Sequence, residues 1–368
     1  MKLQDPNSYK SCYIRRMMNR HIVLLLLSMT VTTAVRGDDA NPLDQRPQPW
    51  QRRAEPILST YTTKQSWCKI VLYSPHVSYH DGKLRMWYLG TSTATRTNDI
   101  VMGYAESNDG IDWKPFDKNP IITGDDIPWG TIVQTPFVMF DHDEQIYKMW
   151  FVSGKGVTRD GKNRVVSNDQ RLGYATSGDG IQWKIHPKSI YPSGRSPSVI
   201  KVRSNKYRMW MGSSPSPDHA WNDIYKNIYE FSSTDGLRWK RSEKPVIIPS
   251  GRGQSCVYPF VIKERNTFYM WYGCHIDGGM FELFCANSSD GTDWKVDHEN
   301  SAFSATKGKT AFDSRYTSTP CVVRLKDRFL MYYSARDWKT EYIDSQGRRR
   351  RDGSSPYAHI GVATLLSP

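Results

Sequence analysis

An internal repeat constrains this chain more than any other feature. A proline recurs at Pro75, Pro136, Pro197, Pro259 and Pro320, with spacings of 61, 61, 62 and 61 residues. Twelve to fourteen residues after each comes an aromatic box: Met86-Trp87-Tyr88, Met149-Trp150-Phe151, Met209-Trp210, Met270-Trp271-Tyr272 and Met331-Tyr332-Tyr333. The first four units then carry a turn box, Asp109-Gly110-Ile111-Asp112-Trp113 and its counterparts beginning at Asp179, Asp235 and Asp290. Self-similarity at a fixed period marks a repeat architecture, and residues shared by every copy are assigned to the scaffold rather than to a site.

Within a unit the order is an apolar strand after the proline, a polar turn such as Asp81-Gly82, an aromatic strand, a variable loop, a third strand such as Gly103-Tyr104-Ala105, the Asp-Gly turn and a short outer strand. Four antiparallel strands per unit make a propeller blade, and helical periodicity is absent. The expected fold is all-β, a five-bladed propeller of four-stranded antiparallel blades. The fifth unit ends at Gly361-Val362-Ala363 without a turn box, so its outer strand must come from elsewhere or leave an edge exposed. The stretch from Trp50 to Leu58 matches that from Trp239 to Ile247 in its Trp-to-Pro offset and apolar ending, so the N-terminal strand is expected to close the ring.

The domain therefore runs over residues 50–368, preceded by a Pro/Gln-rich segment, 38–49, expected to be flexible. Residues 1–37 read as a secretory signal: Arg15, Arg16 and Arg20, an apolar run from Ile22 to Met29, and small residues before Asp38-Asp39. The natural start is then Met17 or Met18, with cleavage after Ala34 or Gly37 and a secreted or periplasmic destination. Removing that segment takes away six basic groups and one acid, bringing the formal charge from +13 to +8. A basic exported protein fits acidic glycans or an anionic envelope better than nucleic acid. Beyond the presequence no apolar stretch is long enough for a membrane span. Five cysteines remain there, Cys68, Cys256, Cys274, Cys285 and Cys321, with no CxxC and no metal-like spacing. Cys274 and Cys285 are the only two close in sequence, although adjacent strands rarely present good bridge geometry. No metal ligand set and no cofactor are expected; a carbonyl-bound structural Ca²⁺ would leave little trace in sequence.

In such a blade, the loops joining second and third strands share one face of the ring with the start of the inner strand, and site residues belong there. Strand alternation turns Ser74, Thr135, Ser196, Tyr258 and Thr319 toward the central channel, with His76, Phe137, Ser198, Phe260 and Cys321 as the next layer. The chain resembles the five-bladed propeller glycosidases, the superfamily of glycoside hydrolase families 32, 43, 68, 117 and 130. The likeness covers Trp50 to Pro368, and Tyr207-Arg208-Met209-Trp210 and the run from Gly173 to Trp183 are its most typical phrases. The resemblance implies hydrolysis or phosphorolysis at a funnel over the axis, commonly with an acid just before the proline of an inner strand. Here those places hold Ser74, Thr135 and Ser196, so the usual acids do not carry over.

Hydrolysis of a glycosidic bond needs an acid and a base or nucleophile about 5–10 Å apart. The candidates at the proper face are Asp99, Asp169, Asp223, Asp126 and Asp313, with His76 as a further acid/base near neutral pH, a role that family 117 resembles in using a histidine acid. Each has a structural alternative: a strand cap, a solvated loop carboxylate, a core histidine. Aromatic platforms for sugar are Trp67, Trp129, Trp221 and Trp338, which lie outside the repeated boxes. Tyr258, His275, Arg195, Arg315 and Arg336 complete the binding candidates, the arginines being suited to bidentate pairing with a sulfate or carboxylate. The expected function is an exported glycoside hydrolase acting on a poly- or oligosaccharide, acidic or sulfated, by carboxylate chemistry. The alternative is a non-catalytic glycan-binding or envelope propeller, favoured by the neutral ring. A sialidase would need an arginine triad and a tyrosine nucleophile, for which Tyr258 or Tyr316 with Arg195 and Arg315 would have to serve.

Overall fold

The Asp-Gly-x-x-Trp boxes fold into turns that satisfy their own polar groups. Asp109 Oδ1 accepts from the backbone N–H of Ile111 at 2.8 Å and of Asp112 at 2.9 Å, and Gly110 takes φ +81°. The Trp113 indole donates to the Gly110 carbonyl at 3.1 Å, and the set recurs at Asp179, Asp235 and Asp290. A left-handed φ at the second position explains the invariant choice of glycine across the four boxes.

The computed structural model describes residues 41–93, 99–162, 165–213, 223–343, 349–351 and 356–367. They fall in one compact unit, Ala40–Pro368. The described part is all-β, and each repeat builds an antiparallel sheet. The first contains Val71–His80, Lys83–Thr91, Val101–Ser107 and Lys114–Pro115 in that order. The second contains Gln134–Asp141, Ile146–Arg159, Val165–Ser177 and Lys184–Ile185, and the third Arg195–Arg203, Lys206–Gly212, Ile228–Ser233 and Lys240–Arg241. In the fourth, Val257–Glu264, Thr267–Ile276 and Met280–Ser288 pair in order, and a single parallel bridge, Phe281 to Tyr316, joins them to the fifth. The fifth contains Tyr316–Arg324, Arg328–Arg336 and His359–Leu366. Gln51–Arg52 pairs antiparallel with His359–Leu366, at the edge where the fifth repeat lacks an outer strand of its own. No described helix is long and apolar enough to cross a membrane.

The aromatic boxes staple each repeat to the next. Trp87, Trp150 and Trp210, all fully buried, donate their indole N–H to Gly180, Gly236 and Gly291, the turn glycines of the following unit, at 2.7, 2.8 and 3.0 Å. Tyr332 of the fifth unit donates to Gly110 of the first at 3.1 Å. The fourth unit has no turn box after it to bond, and Gln48 stands in: its Oε1 accepts from both Trp271 and Trp50 at 2.8 Å. In the described part of the 38–49 segment, Leu43 is fully buried and Gln48 bonds two indoles.

The inner strands interlock through side chains. His76 bonds the Val138 carbonyl, Thr135 Oγ1 accepts from Ser196 N–H, Ser198 Oγ accepts from Val261 N–H, and Ser334 Oγ of the fifth unit accepts from Ser74 N–H. All five described cysteines are buried thiols. Cys274 and Cys285, close in sequence, are not opposite each other: the ladder sets Cys285 opposite Trp271 and Cys274 opposite Glu282.

Candidate functional site

The residue before each repeat proline has the same unusual backbone. Ser74, Thr135, Ser196, Tyr258 and Thr319 all have left-handed φ, between 43° and 59°, and each sits in a β-bulge of its inner strand. Such a conformation costs a non-glycine residue about 1–2 kcal/mol. It also breaks strand alternation, re-aiming the side chains on either side of the bulge. The five residues, with their prolines, line a cavity of about 30 Å³, room for roughly one water. His76, Phe137 and Phe260 line it too, with ring centroids 4.6 Å apart for His76 and Phe137 and 6.0 Å for Phe137 and Phe260.

His76 is a core residue, not the acid/base that its position suggested. Its Nε2 is committed to the Val138 carbonyl at 2.6 Å, and burial pushes its pKa down to about 4, outweighing that hydrogen bond. It is therefore neutral near pH 7, with its donor already used.

The residues two before the prolines are Tyr73, Gln134, Arg195, Val257 and Ser318. Arg195, 5% exposed, donates to Gln170 Oε1 at 2.9 Å, and its guanidinium lies 5.5 Å from the Tyr225 ring and 5.6 Å from that of Tyr258. Tyr73 stacks on Tyr357 at 5.3 Å, and Ser318 Oγ bonds the Tyr357 hydroxyl at 3.0 Å. Arg336 covers the other side of that pair, 3.8 Å from Tyr357 and 4.5 Å from Tyr316. His275, hydrogen-bonded to Ser255 Oγ at 3.0 Å and edge-on to Phe281 at 4.7 Å, borders this group. Burial, reinforced by the Arg336 charge, lowers its pKa. Burial also raises the pKa of Tyr73 and Tyr357 against the pull of Arg195 and Arg336, so both phenols stay neutral.

Among the described residues neither Arg195 nor Arg336 has an ion-pair partner, and the Nε of each is buried without a hydrogen bond. Two guanidinium groups walled by Tyr73, Tyr225, Tyr258, Tyr316 and Tyr357 make a cationic, aromatic mouth suited to an anion carried on a flat, hydroxylated body. A groove of about 740 Å³ is lined by Trp67, Ile70, Lys339, Glu341, Tyr342 and Pro356, which precedes Tyr357 in the chain. A wider cleft, about 990 Å³, lies among Lys244, Ser288, Thr292 and Trp294 at the Asp-Gly turn of the fourth repeat, away from these arginines in the fold.

The carboxylates expected to do chemistry are mostly committed elsewhere. Asp126 closes a capping box, its Oδ2 accepting from Thr123 N–H at 2.7 Å and Thr123 Oγ1 at 3.0 Å. Asp313 is buried, ion-paired with Arg52 at 2.6 Å and bonded by the Tyr333 hydroxyl at 2.9 Å. Asp169 accepts a two-point contact from Arg171, at 2.6 and 3.0 Å, and the Lys155 N–H at 3.0 Å. Asp99 is exposed and accepts from Thr93 at 2.7 Å. Asp223 opens a 3-10 turn, Asp223–Tyr225, with its side chain outside the described residues, as is Trp221.

Trp67 and Trp129 serve the scaffold. Each ring covers the glycine of a Gly-Tyr-Ala strand, where a Cβ would come within 2.4 Å of Trp67 at Gly103 and 2.7 Å of Trp129 at Gly173. Their indole donors are taken by Gln65 and by the His186 carbonyl. Trp338 donates to the Ser314 carbonyl and lies 5.0 Å from the Arg315 guanidinium and 5.4 Å from the Lys309 ammonium. Tyr73, Gln170, Tyr225 and Tyr357 escaped the sequence reading. The position two before each proline would have pointed to Tyr73 as it did to Arg195.

No family model matches the chain. Two uncharacterized proteins of Mycobacterium tuberculosis, from two strains, are each 27% identical over 129 residues, which is 35% of this chain and 42% of theirs; the match thus spans about two fifths of those relatives. Solved structures share the fold. A family 130 glycoside hydrolase, from work on enzymes that target β-1,2-mannosidic linkages in Candida mannan, superposes with a TM-score of 0.61 at 16% identity, over 87% of this chain and 96% of that one. The catalytic domain of a Coprinopsis cinerea family 62 α-L-arabinofuranosidase gives 0.60 at 13% identity, over 86% and 96%. A thermostable family 43 glycoside hydrolase gives 0.57 at 16%, over 83% and 92%. The chain thus has the propeller-like fold of the glycoside hydrolases.

Proposed function

We propose that this chain is an exported five-bladed β-propeller, closed by its N-terminal strand, that binds an acidic saccharide at the mouth formed by Arg195, Arg336 and their tyrosines. One observation carries the reading: the two arginines meet no carboxylate among the described residues, while tyrosine faces surround them. A uronate or sulfate would supply the missing charge, and the sugar ring would lie on the phenol faces. Closure is supported by the pairing of Gln51–Arg52 with the last strand and by the Tyr332 and Ser334 bonds back to the first repeat.

Hydrolysis of the bound glycan is the second reading, favoured by the glycoside hydrolase fold of the neighbours. It would draw its acids from Asp99, Asp169 and Asp223, since Asp126 and Asp313 are engaged in structure. One incubation separates the two readings. The domain is mixed with neutral, uronic and sulfated glycans, and both retained ligand and released sugar are measured. Retention of acidic glycans without release supports the binding reading. Release abolished by Asp169→Asn establishes the hydrolase, and failure to retain any acidic glycan defeats the proposal.

A further inference from the structure

A second cluster lies on the fourth repeat. The register that pairs Val257 with Gly273 brings the flanking residues Cys256 and Cys274 face to face across two antiparallel strands. His298, from the segment after the third strand of that repeat, packs against them: its Nε2 lies 3.9 Å from Cys256 Sγ. The three donor atoms all lie within 4.8 Å of one another, with both thiols at 0% exposure and the histidine at 4%. Their positions in sequence show no metal-site spacing, because two come from paired strands and the third from a distant loop.

We propose that Cys256, Cys274 and His298 bind a thiophilic d¹⁰ cation, with Zn²⁺ as the expected occupant. Zinc bonds of about 2.3 Å to sulfur and 2.0–2.1 Å to nitrogen place tetrahedral donors roughly 3.5–3.8 Å apart, so this cluster needs a contraction of about 1 Å at most. Ser250 Oγ holds His298 Nδ1 at 2.5 Å, the outer contact that orients a ligating imidazole and turns Nε2 toward the sulfurs. The Tyr272 hydroxyl, 2.8 Å from that Nε2, is the oxygen at hand for a fourth position. Gly253 lets the Ser250–Gly253 turn close over the cluster, since a Cβ there would meet Cys274 Sγ at 3.2 Å and His298 at 3.3 Å.

Uptake balances as one Zn²⁺ entering and one proton leaving each thiol, with no change of oxidation state. The ion would act on the mouth indirectly. Cys256 is two residues from Tyr258 and Cys274 is next to His275, whose backbone carbonyl accepts from Gln254 N–H at 2.8 Å. A bound cation would therefore fix the spacing of Tyr258 and His275, a positioning role.

The test uses the full chain, purified under reducing conditions and titrated with Zn²⁺ and with Co²⁺. Native mass spectrometry is expected to show one Zn²⁺ per chain, with up to two protons displaced. The Co²⁺ form is expected to show a thiolate-to-cobalt charge-transfer band. Cys256→Ser and Cys274→Ser should each weaken uptake at least 100-fold, and Cys321→Ser should not change it. If the serine variants fail to fold, the Co²⁺ spectrum of the unaltered chain decides alone. No metal increment on the reduced chain, or a cobalt adduct without the thiolate band, overturns the assignment. So does a Cys256–Cys274 disulfide that forms in preference to zinc uptake when oxidised glutathione and Zn²⁺ compete.

Discussion

Arg52 Nη1 lies 2.6 Å from Asp313 Oδ2, joining the strand at the start of the domain to the fifth repeat across 261 positions of sequence. Asp313 is almost fully buried while the Arg52 side chain is 28% exposed, so the two ends of this pair are unequal. Arg52→Met strands a buried carboxylate and is expected to cost about 2–3 kcal/mol, allowing for solvent at the arginine. Asp313→Asn leaves an arginine that water can reach, and should cost less. The order of the two midpoints in guanidinium denaturation checks this.

Gln48 accepts two indole N–H groups with one oxygen. Gln48→Leu keeps the volume but leaves the Trp50 and Trp271 donors unsatisfied, at about 1–3 kcal/mol each. A fall in melting temperature, with glycan binding at the mouth retained, is expected from calorimetry of the variant.

Asp141 is fully buried between Lys148 at 2.7 Å and Lys201 at 2.5 Å, and the Tyr207 hydroxyl bonds it at 3.1 Å. Burial would raise its pKa, but the two ammonium groups hold it well below the usual carboxylate range. Its contribution is present above the unfolded carboxylate pKa of about 4 and fades as pH falls below that. Asp141→Asn should destabilise by about 2–3 kcal/mol near neutral pH, because Lys148 and Lys201 lose their shared buried partner and keep only the exposed Glu144 and Asp143. Urea titrations at pH 7 and pH 3 should show the gap between variant and parent narrowing at the lower pH.

His76 responds to acid over a different window. With a folded pKa of about 4 against about 6.5 unfolded, the unfolded chain binds more protons between those values, so stability falls as pH drops from 6.5 toward 4. The loss integrates to as much as about 3 kcal/mol. His76→Gln removes this ionisation, and its stability should be flatter over pH 4–6.5 in denaturant titrations. Equal slopes for variant and parent would exclude the buried, neutral histidine.

Arg195→Lys keeps the charge and loses the planar fork, so affinity for a sulfated or uronic glycan should fall at least tenfold, equivalent to about 1.5–3 kcal/mol. Trp129→Ala should do the opposite, lowering the melting temperature through a cavity of about 3–5 kcal/mol while leaving affinity near that of the parent. Titration calorimetry and melting curves on both variants separate a ligand contact from a scaffold contact.

The repeat was legible because it is local. Proline spacing, aromatic boxes and Asp-Gly turns reflect backbone needs within a few residues, and strand order and the pairing of Gln51–Arg52 with the last strand followed from counting them. Arg195 and Tyr258 were also visible, through their offset from the prolines, and so was the alternative reading of His76 as a core residue. The roles of the acids were not. Asp126 caps its own turn, but Asp313 answers an arginine at the other end of the domain, and no offset within the repeat announces that partner.

The sequence by itself determined the five units, their strand order and the neutral residues around the axis, because each follows from a pattern that chain geometry repeats. Tertiary structure decided the chemistry. Whether a carboxylate is free, an arginine unpartnered or two cysteines adjacent depends on which strands meet and in what register. Arg195 with Tyr225 and Tyr258, Arg336 with Tyr357, and Cys256 with Cys274 and His298 exist as sites only because folding brings together side chains that the repeat keeps apart.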